Sequence, residues 1–212
     1  CREEFLKNDI KGENLFIVSP SLSNDKKLQK LVECMDVPME NLFKSYDEEI
    51  LEALFQMVED DFEENIANNR KPNEFMIFFD DLSSTGIFKG ANFNIINTIF
   101  SRGRHIHLSV IITAQKATDI PTNSFENMTM GVFFNCSDRQ LEKIEAEVNY
   151  NTNRKYFKKK FRETTKERHS FFLVDFTSDA STMYKNKNFE PIDMVDPKDK
   201  DNQSHNDDLK IE

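Results

Sequence analysis

The 212 residues of this chain predict an α/β fold with a mainly parallel sheet covered by helices on both faces. Two observations carry that prediction. The strand-like runs are short and continuously apolar, the pattern of strands buried on both sides. Amphipathic segments with helical spacing separate them, as crossovers between parallel strands require.

The elements follow in chain order. "CREEFLKND", residues 1–9, reads as the end of a helix. "ENLFIVSPSL" holds an apolar strand at Leu15–Val18, stopped by Ser19-Pro20. In "NDKKLQKLVECM", Leu28, Leu31 and Val32 recur at helical spacing, with Asn24 or Asp25 as the cap. "SYDEEILEALFQMVEDDFEENIANNR" carries a long apolar stripe of Ile50, Leu51, Leu54, Phe55, Val58 and Phe62. Ser45 or Asp47 caps it, and "RKP" ends it. A strand at Phe75–Phe79 and an amphipathic helix over 91–100 come next, followed by strands at 110–112 and 131–134. "SDRQLEKIEAEV" is a helix opened by Ser137 or Asp138, the basic stretch after it continues helically, and a last strand covers 171–176. Residues 1–184 form the expected core. The Lys-, Asn- and Asp-rich segment 185–212 is too polar to bury a core and is expected to be disordered.

The chain begins at Cys1 rather than methionine and reads as a fragment or a processed product. Three cysteines (Cys1, Cys34, Cys136) give no disulfide framework and suit a reducing compartment. No apolar run approaches the roughly 20 residues that span a bilayer, so no membrane span is expected. The formal charge of −10 argues against wholesale coating of nucleic acid. Locally the balance reverses. From Arg154 to Arg168, eight cationic side chains (Arg154, Lys155, Lys158, Lys159, Lys160, Arg162, Lys166, Arg168) stand against Glu163 and Glu167, and eight minus two leaves six. Such a stretch can grip phosphates without reading sequence; it can equally be a solvated helix or a subunit contact. The loop 83–92 is a rival for such phosphate contacts.

Open α/β sheets place functional groups at the carboxyl ends of their strands. In "EFMIFFDDLSSTGIF" the apolar run Phe75–Phe79 drives into Asp80 and Asp81. Buried like charges repel and lose hydration, and a phosphate-bound Mg2+ would compensate both. The alternative is that the pair opens a polar loop. "SVIITAQ" ends in Gln115, a neutral amide able to bond a γ-phosphate or an attacking water. One crossover separates the two strands, which places their ends side by side. "FSRGRHIHLS" brings Arg102 and Arg104 to the opposite rim, out of reach of a nucleotide on their own subunit but available to a neighbour's γ-phosphate. A solvated basic turn is the alternative. His105 and His107 alternate without a third ligand, so no zinc site is expected.

The succession "SPS", a long acidic helix, "MIFFDDL", "SRGRHIHLSVIITAQ", "DIPTNSFENMT" and "GVFFNCSDRQLEKI" resembles the FtsK/HerA-lineage packaging ATPases. Within them it looks most like the poxvirus-type genome-packaging ATPases of large DNA viruses and virophages, over roughly residues 15–144. The resemblance implies a RecA-like P-loop NTPase core that uses ATP and Mg2+. It further implies a homo-oligomeric ring that drives double-stranded DNA into a capsid at its portal vertex, in the host cytoplasm or the virion. It also implies roles: Asp80 as the acid that holds the metal's water shell, Asp81 as the catalytic acid, Gln115 as the γ-phosphate sensor, and Arg102 and Arg104 as candidates for an arginine finger in trans. Asn127 matches a family asparagine of unassigned role. One departure stands out. The phosphate-cradling G-x-x-x-x-G-K-[ST] is absent from the 212 residues, so the chain is expected to begin within the helix that follows that loop and to be inactive alone. A conjugation or segregation pump of the same lineage is an alternative. A non-catalytic assembly protein that retains the fold is another.

Overall fold

The structure is a computed structural model that describes residues 10–81, 94–120, 122–150 and 152–196. The helix expected over 1–9, the loop 83–92 and residues 197–212 of the expected tail lie outside these. The chain divides into two compact units, Cys1–Ser124 and Phe125–Glu212.

The first unit is a four-stranded parallel sheet. β1 (Leu15–Val18), β2 (Leu42–Phe43), β3 (Phe75–Phe79) and β4 (Leu108–Ile112) lie in the order β2-β1-β3-β4. The pleat sends alternate side chains of each strand to opposite faces, and both faces are buried. Phe16 and Val18 of β1 join Phe75, Ile77 and Phe79 of β3 on one side. There they pack under Leu51, Leu54, Phe55 and Val58 of α2 (Glu48–Ala67) and Ile95, Ile96 and Ile99 of α3 (Asn94–Arg102). Leu15 and Ile17 face the other way, with Met76 and Phe78 of β3, against Leu28 and Met35 of α1 (Lys26–Met35). Each such side chain contributes roughly 1.5–3 kcal/mol by leaving water, which is why the strands read as unbroken apolar runs.

Local signals place the helices. Asp25 caps α1 by accepting from Lys27 N and Leu28 N at 2.7 and 3.1 Å. Asp47 caps α2 by accepting from Ile50 N at 3.2 Å. Helix α2 ends at Ala67, before the expected "RKP", and Asn69 takes a left-handed backbone (φ 54°). Ile50, counted in the stripe, points outward and is exposed. Gly12 has no alternative: a Cβ there would lie 1.9 Å from the carbonyl oxygen of Met35. β4 departs from the expected two-sided burial. It ends the sheet order, and Ile111 is 42% exposed.

The second unit corrects the strand directions. β5 (Met130–Phe134), β6 (Phe171–Asp175) and β7 (Tyr184–Lys185) form a separate antiparallel sheet, not a continuation of the parallel one. The cause is the connection between β5 and β6. The stretch expected as one continuing helix is two, α5 (Asp138–Val148) and α6 (Arg154–Thr164), and the Asn153 side chain caps the second by accepting from Tyr156 N. The two helices run antiparallel, so the chain returns to the end at which β5 finished, and β6 must run back alongside it. Phe157 and Phe161 of α6 are wholly buried and stack on each other with centroids 6.5 Å apart; Phe157 meets Phe172 and Tyr184 edge to face at 5.5 and 6.2 Å, and Phe161 lies tilted against Phe172 at 5.4 Å. The Tyr184 hydroxyl donates to Val148 O at 2.8 Å. The polar segment from 185 opens with ordered backbone, because Lys185 bridges to Pro191. No helix among the described residues is long and apolar enough to cross a membrane.

Candidate functional site

Three adjacent parallel strands end level with one another, Val18 opposite Phe79 and Phe79 opposite Ile112. The next residue of each strand is polar: Ser19, Asp80 and Thr113. The ladder extends one step to hold them, with Asp80 N donating to Val18 O and Thr113 N to Phe79 O, both at 2.9 Å. Around Asp80 the hydrogen bonds close. The Ser19 hydroxyl donates to Oδ2 at 2.8 Å, and the Thr113 hydroxyl donates to Oδ1 at 2.7 Å. Asp81 turns away in a left-handed backbone conformation (φ 49°), and its N–H donates to Thr113 Oγ1 at 3.1 Å. Gln115 Nε2 lies 3.0 Å from each carboxylate oxygen of Asp81. Two adjacent acids are therefore tolerated because their carboxylates face different partners.

An open cleft of about 290 Å³ lies at this edge, lined by Ser21, Asp25, Asp80, Asp81, Thr113, Ala114 and Gln115. The structure thus brings together three of the sequence-predicted residues, Asp80, Asp81 and Gln115. Ser19 and Thr113 were not anticipated, although both stand directly after an apolar strand, the position that singled out Asp80.

Arg102 and Arg104 lie elsewhere. They precede β4, at its amino end, and a five-residue strand puts about 16 Å between that rim and the cleft. Arg102 forms an ion pair with Glu59 of α2 and lies 5.5 Å over the Phe55 ring. Arg104 sits on the 3₁₀ turn Gly103–Ile106, exposed and without an ion pair among the described residues. His105 is exposed, while His107 Nδ1 lies 2.8 Å from Glu74 Oε1. Among the described residues no group of three or more His, Cys, Asp or Glu side chains could hold a metal by itself. Asn127 lies in the second unit, just beyond α4 (Thr122–Glu126), and is half-buried.

The basic stretch resolves into two faces of α6. Arg154, Lys158 and Arg162, four residues apart, meet Glu145, Glu142 and Asp138 of α5 at 3.5, 3.4 and 2.7 Å. This ladder is structural. Lys155 and Lys159 are exposed, as are Lys166 and Arg168 beyond the helix. Of these only Lys159 has an acidic neighbour among the described residues, Glu163 at 3.9 Å.

Comparison with known proteins places this geometry. B204, the DNA-packaging ATPase from Sulfolobus turreted icosahedral virus, matches with a TM-score of 0.56 at 15% identity, over 90% of this chain and 88% of that one. The genome-packaging NTPase B204 of Sulfolobus turreted icosahedral virus 2, in complex with AMPPCP, matches with a TM-score of 0.58 at 15% identity, covering 90% and 88%. The same protein with ATP-γS gives 0.54 at 14% identity, covering 87% and 85%. At these identities the likeness is one of fold: the chain shares the α/β fold of these genome-packaging NTPases. No curated protein matches the chain in sequence. The sequence profile described as Poxvirus A32 protein matches residues 21–207, and the chain belongs to that family.

Proposed function

We propose that this chain is part of an ATP-driven motor that moves double-stranded DNA into a viral capsid and hydrolyses ATP at the subunit interfaces of a homo-oligomeric ring. One observation carries the reading: Asp80, Asp81 and Gln115 converge on one cleft at the carboxyl edge of adjacent parallel strands. Family membership and the fold shared with genome-packaging NTPases, one of them in complex with two different ATP analogues, support the reading further. The motor would work in the host cytoplasm or at the virion vertex.

The donor set fits Mg2+. Asp80 and Asp81 present two carboxylates to the cleft beside the hydroxyls of Ser21 and Thr113, while the third acid of its lining, Asp25, is engaged by the amides of Lys27 and Leu28 that it caps; Mg2+ in phosphate sites takes one or two carboxylates and leaves its other positions to water and phosphate. Bound with ATP, it would neutralise charge on the β- and γ-phosphates. Asp80 would accept hydrogen bonds from the metal's water shell. Asp81 would orient and polarise the attacking water. Gln115 would exchange its bond to Asp81 for one to the γ-phosphate. Arg104 is favoured over Arg102 as the finger offered to a neighbouring subunit, because Glu59 already engages Arg102.

The 212 residues hold no G-x-x-x-x-G-K-[ST] to cradle the phosphates, and this reading assigns that loop and its strand to sequence beyond them. β4 is where such a strand fits. It is the sheet edge next to the cleft, and Ile111 is left uncovered. The outward cations of α6, Lys155 and Lys159, are candidates for DNA phosphates.

The test uses the full-length protein. DNA-stimulated ATP hydrolysis is expected, and Asp81→Asn should lower turnover by about 10²–10⁴ while ATP binding persists. Parental turnover in that variant would overturn the assignment. Co-purification with capsids separates packaging from a segregation pump.

A further inference from the structure

Asp80 is gripped on both oxygens by hydroxyls from the two strands that flank its own. Ser19 follows β1 and Thr113 follows β4; they donate to Oδ2 and Oδ1 at 2.8 and 2.7 Å. A carboxylate otherwise turns freely, because its terminal torsion is broad and roughly two-fold. A hydroxyl has one proton to give and accepts through its lone pairs, so an amide aimed at its oxygen helps decide where that proton goes. Both hydroxyls are fixed in this way. Ser19 Oγ, wholly buried, accepts from Ser21 N at 3.1 Å, and Thr113 Oγ1 accepts from Asp81 N at 3.1 Å. Each oxygen of Asp80 still has acceptor capacity for a water.

We propose that Ser19 and Thr113 are positioning residues that preset the Asp80 carboxylate to receive the water shell of a nucleotide-bound divalent cation, with Thr113 also holding the backbone amide of Asp81. The inference rests on the nucleotide reading of the cleft. Its chemical consequence concerns metal choice. A carboxylate whose two oxygens each already accept a short hydrogen bond is a poorer direct ligand and a better outer-shell acceptor. That suits Mg2+, which dehydrates reluctantly, over Ca2+, which takes carboxylates directly and with flexible geometry.

The experiment measures Mn2+ binding to the full-length protein with a non-hydrolysable ATP analogue by electron paramagnetic resonance, and the Mg2+ and ATP dependence of turnover. Thr113→Val and Ser19→Ala are each expected to weaken Mn2+ by about 10-fold and to lower kcat by about 10–100-fold. KM for ATP should stay within about threefold, Thr113→Ser should restore both quantities, and the two disrupting variants should discriminate less against Ca2+. Asp80→Asn is the reference. If it abolishes Mn2+ binding while Thr113→Val and Ser19→Ala keep parental affinity and kcat, the nucleotide reading stands and the positioning role is overturned. If Asp80→Asn leaves Mn2+ binding intact, the metal reading fails and this proposal fails with it. Should Thr113→Val not fold, Ser19→Ala, a smaller change at a buried site, decides alone.

Discussion

Gln115 donates its side-chain amide to both carboxylate oxygens of Asp81, 3.0 Å to each. In the proposed motor the acid that polarises water is thus engaged by the amide that meets the γ-phosphate, and neither acts independently. Arrival of a phosphate that draws Gln115 away would release Asp81 at the moment its substrate is in place.

Gln115→Glu tests the contact. Two carboxyls about 3 Å apart cannot both ionise easily, so the pair would hold a proton to higher pH than Asp81 alone. The base form is the active one, so the acid limb of the kcat–pH profile should move to higher pH. Turnover at neutral pH should fall by about 100-fold as the amide donor is lost. Steady-state turnover across pH measures both, and a parental profile would contradict the arrangement.

The two arginines should separate cleanly. Arg104→Ala is expected to keep ATP affinity and lose about 10³-fold in turnover within the ring. Mixing it with Asp81→Asn subunits should restore part of the activity, since each supplies what the other lacks. Arg102→Ala removes the ion pair with Glu59 and the stacking on Phe55. It should lower unfolding stability by about 0.2–1 kcal/mol in denaturant titrations, with turnover changed little.

The faces of α6 make a similar contrast. Replacing Lys155 and Lys159 with alanine should weaken binding to any DNA duplex and reduce the salt slope by about one per residue, at unchanged thermal midpoint. Arg162→Ala, which breaks the bond to Asp138, should do the reverse. Filter binding at several salt concentrations, paired with melting curves, reads out both.

Asp175 gives the second unit an acid-sensitive joint. Lys185 Nζ donates to it at 2.7 Å, and the Thr177 and Ser178 hydroxyls donate at 2.6 and 2.7 Å. The ammonium first, and the hydroxyls after it, hold its carboxyl well below the usual carboxylate range. The folded value is the lower one, so the stabilisation is complete above the unfolded value near pH 4 and drains away as pH falls below it. Asp175→Asn should cost roughly 1.5–3 kcal/mol at pH 7, and the gap to the parent should narrow in acid, as followed by denaturant titration at a series of pH values.

How much of this was legible depended on range. Phe75–Phe79 running into Asp80 and Asp81, and the strand before Gln115, are local patterns, and the rule that strand ends carry function brought them to one edge before any coordinates. Ser19 and Thr113 were passed over because hydroxyls end strands everywhere; only their symmetry about Asp80 marks them, and that requires knowing that β1, β3 and β4 are neighbours. The direction of β6 was hidden for a related reason. Residues 171–175 announce an extended conformation but not which way the strand runs, and the deciding fact was the break at "NYNTN" between α5 and α6. The α6 ladder pairs residues up to 24 apart in sequence, beyond any local periodicity.

The left-handed backbone of Asp81 narrows what evolution could place there. Short polar side chains and glycine settle into that region, while longer or branched ones resist it. Glutamate would match the charge but take the conformation less readily, and glycine would match the conformation but not the charge. Aspartate suits both, so the bend of the main chain favours the shorter acid at this position independently of any chemistry it performs.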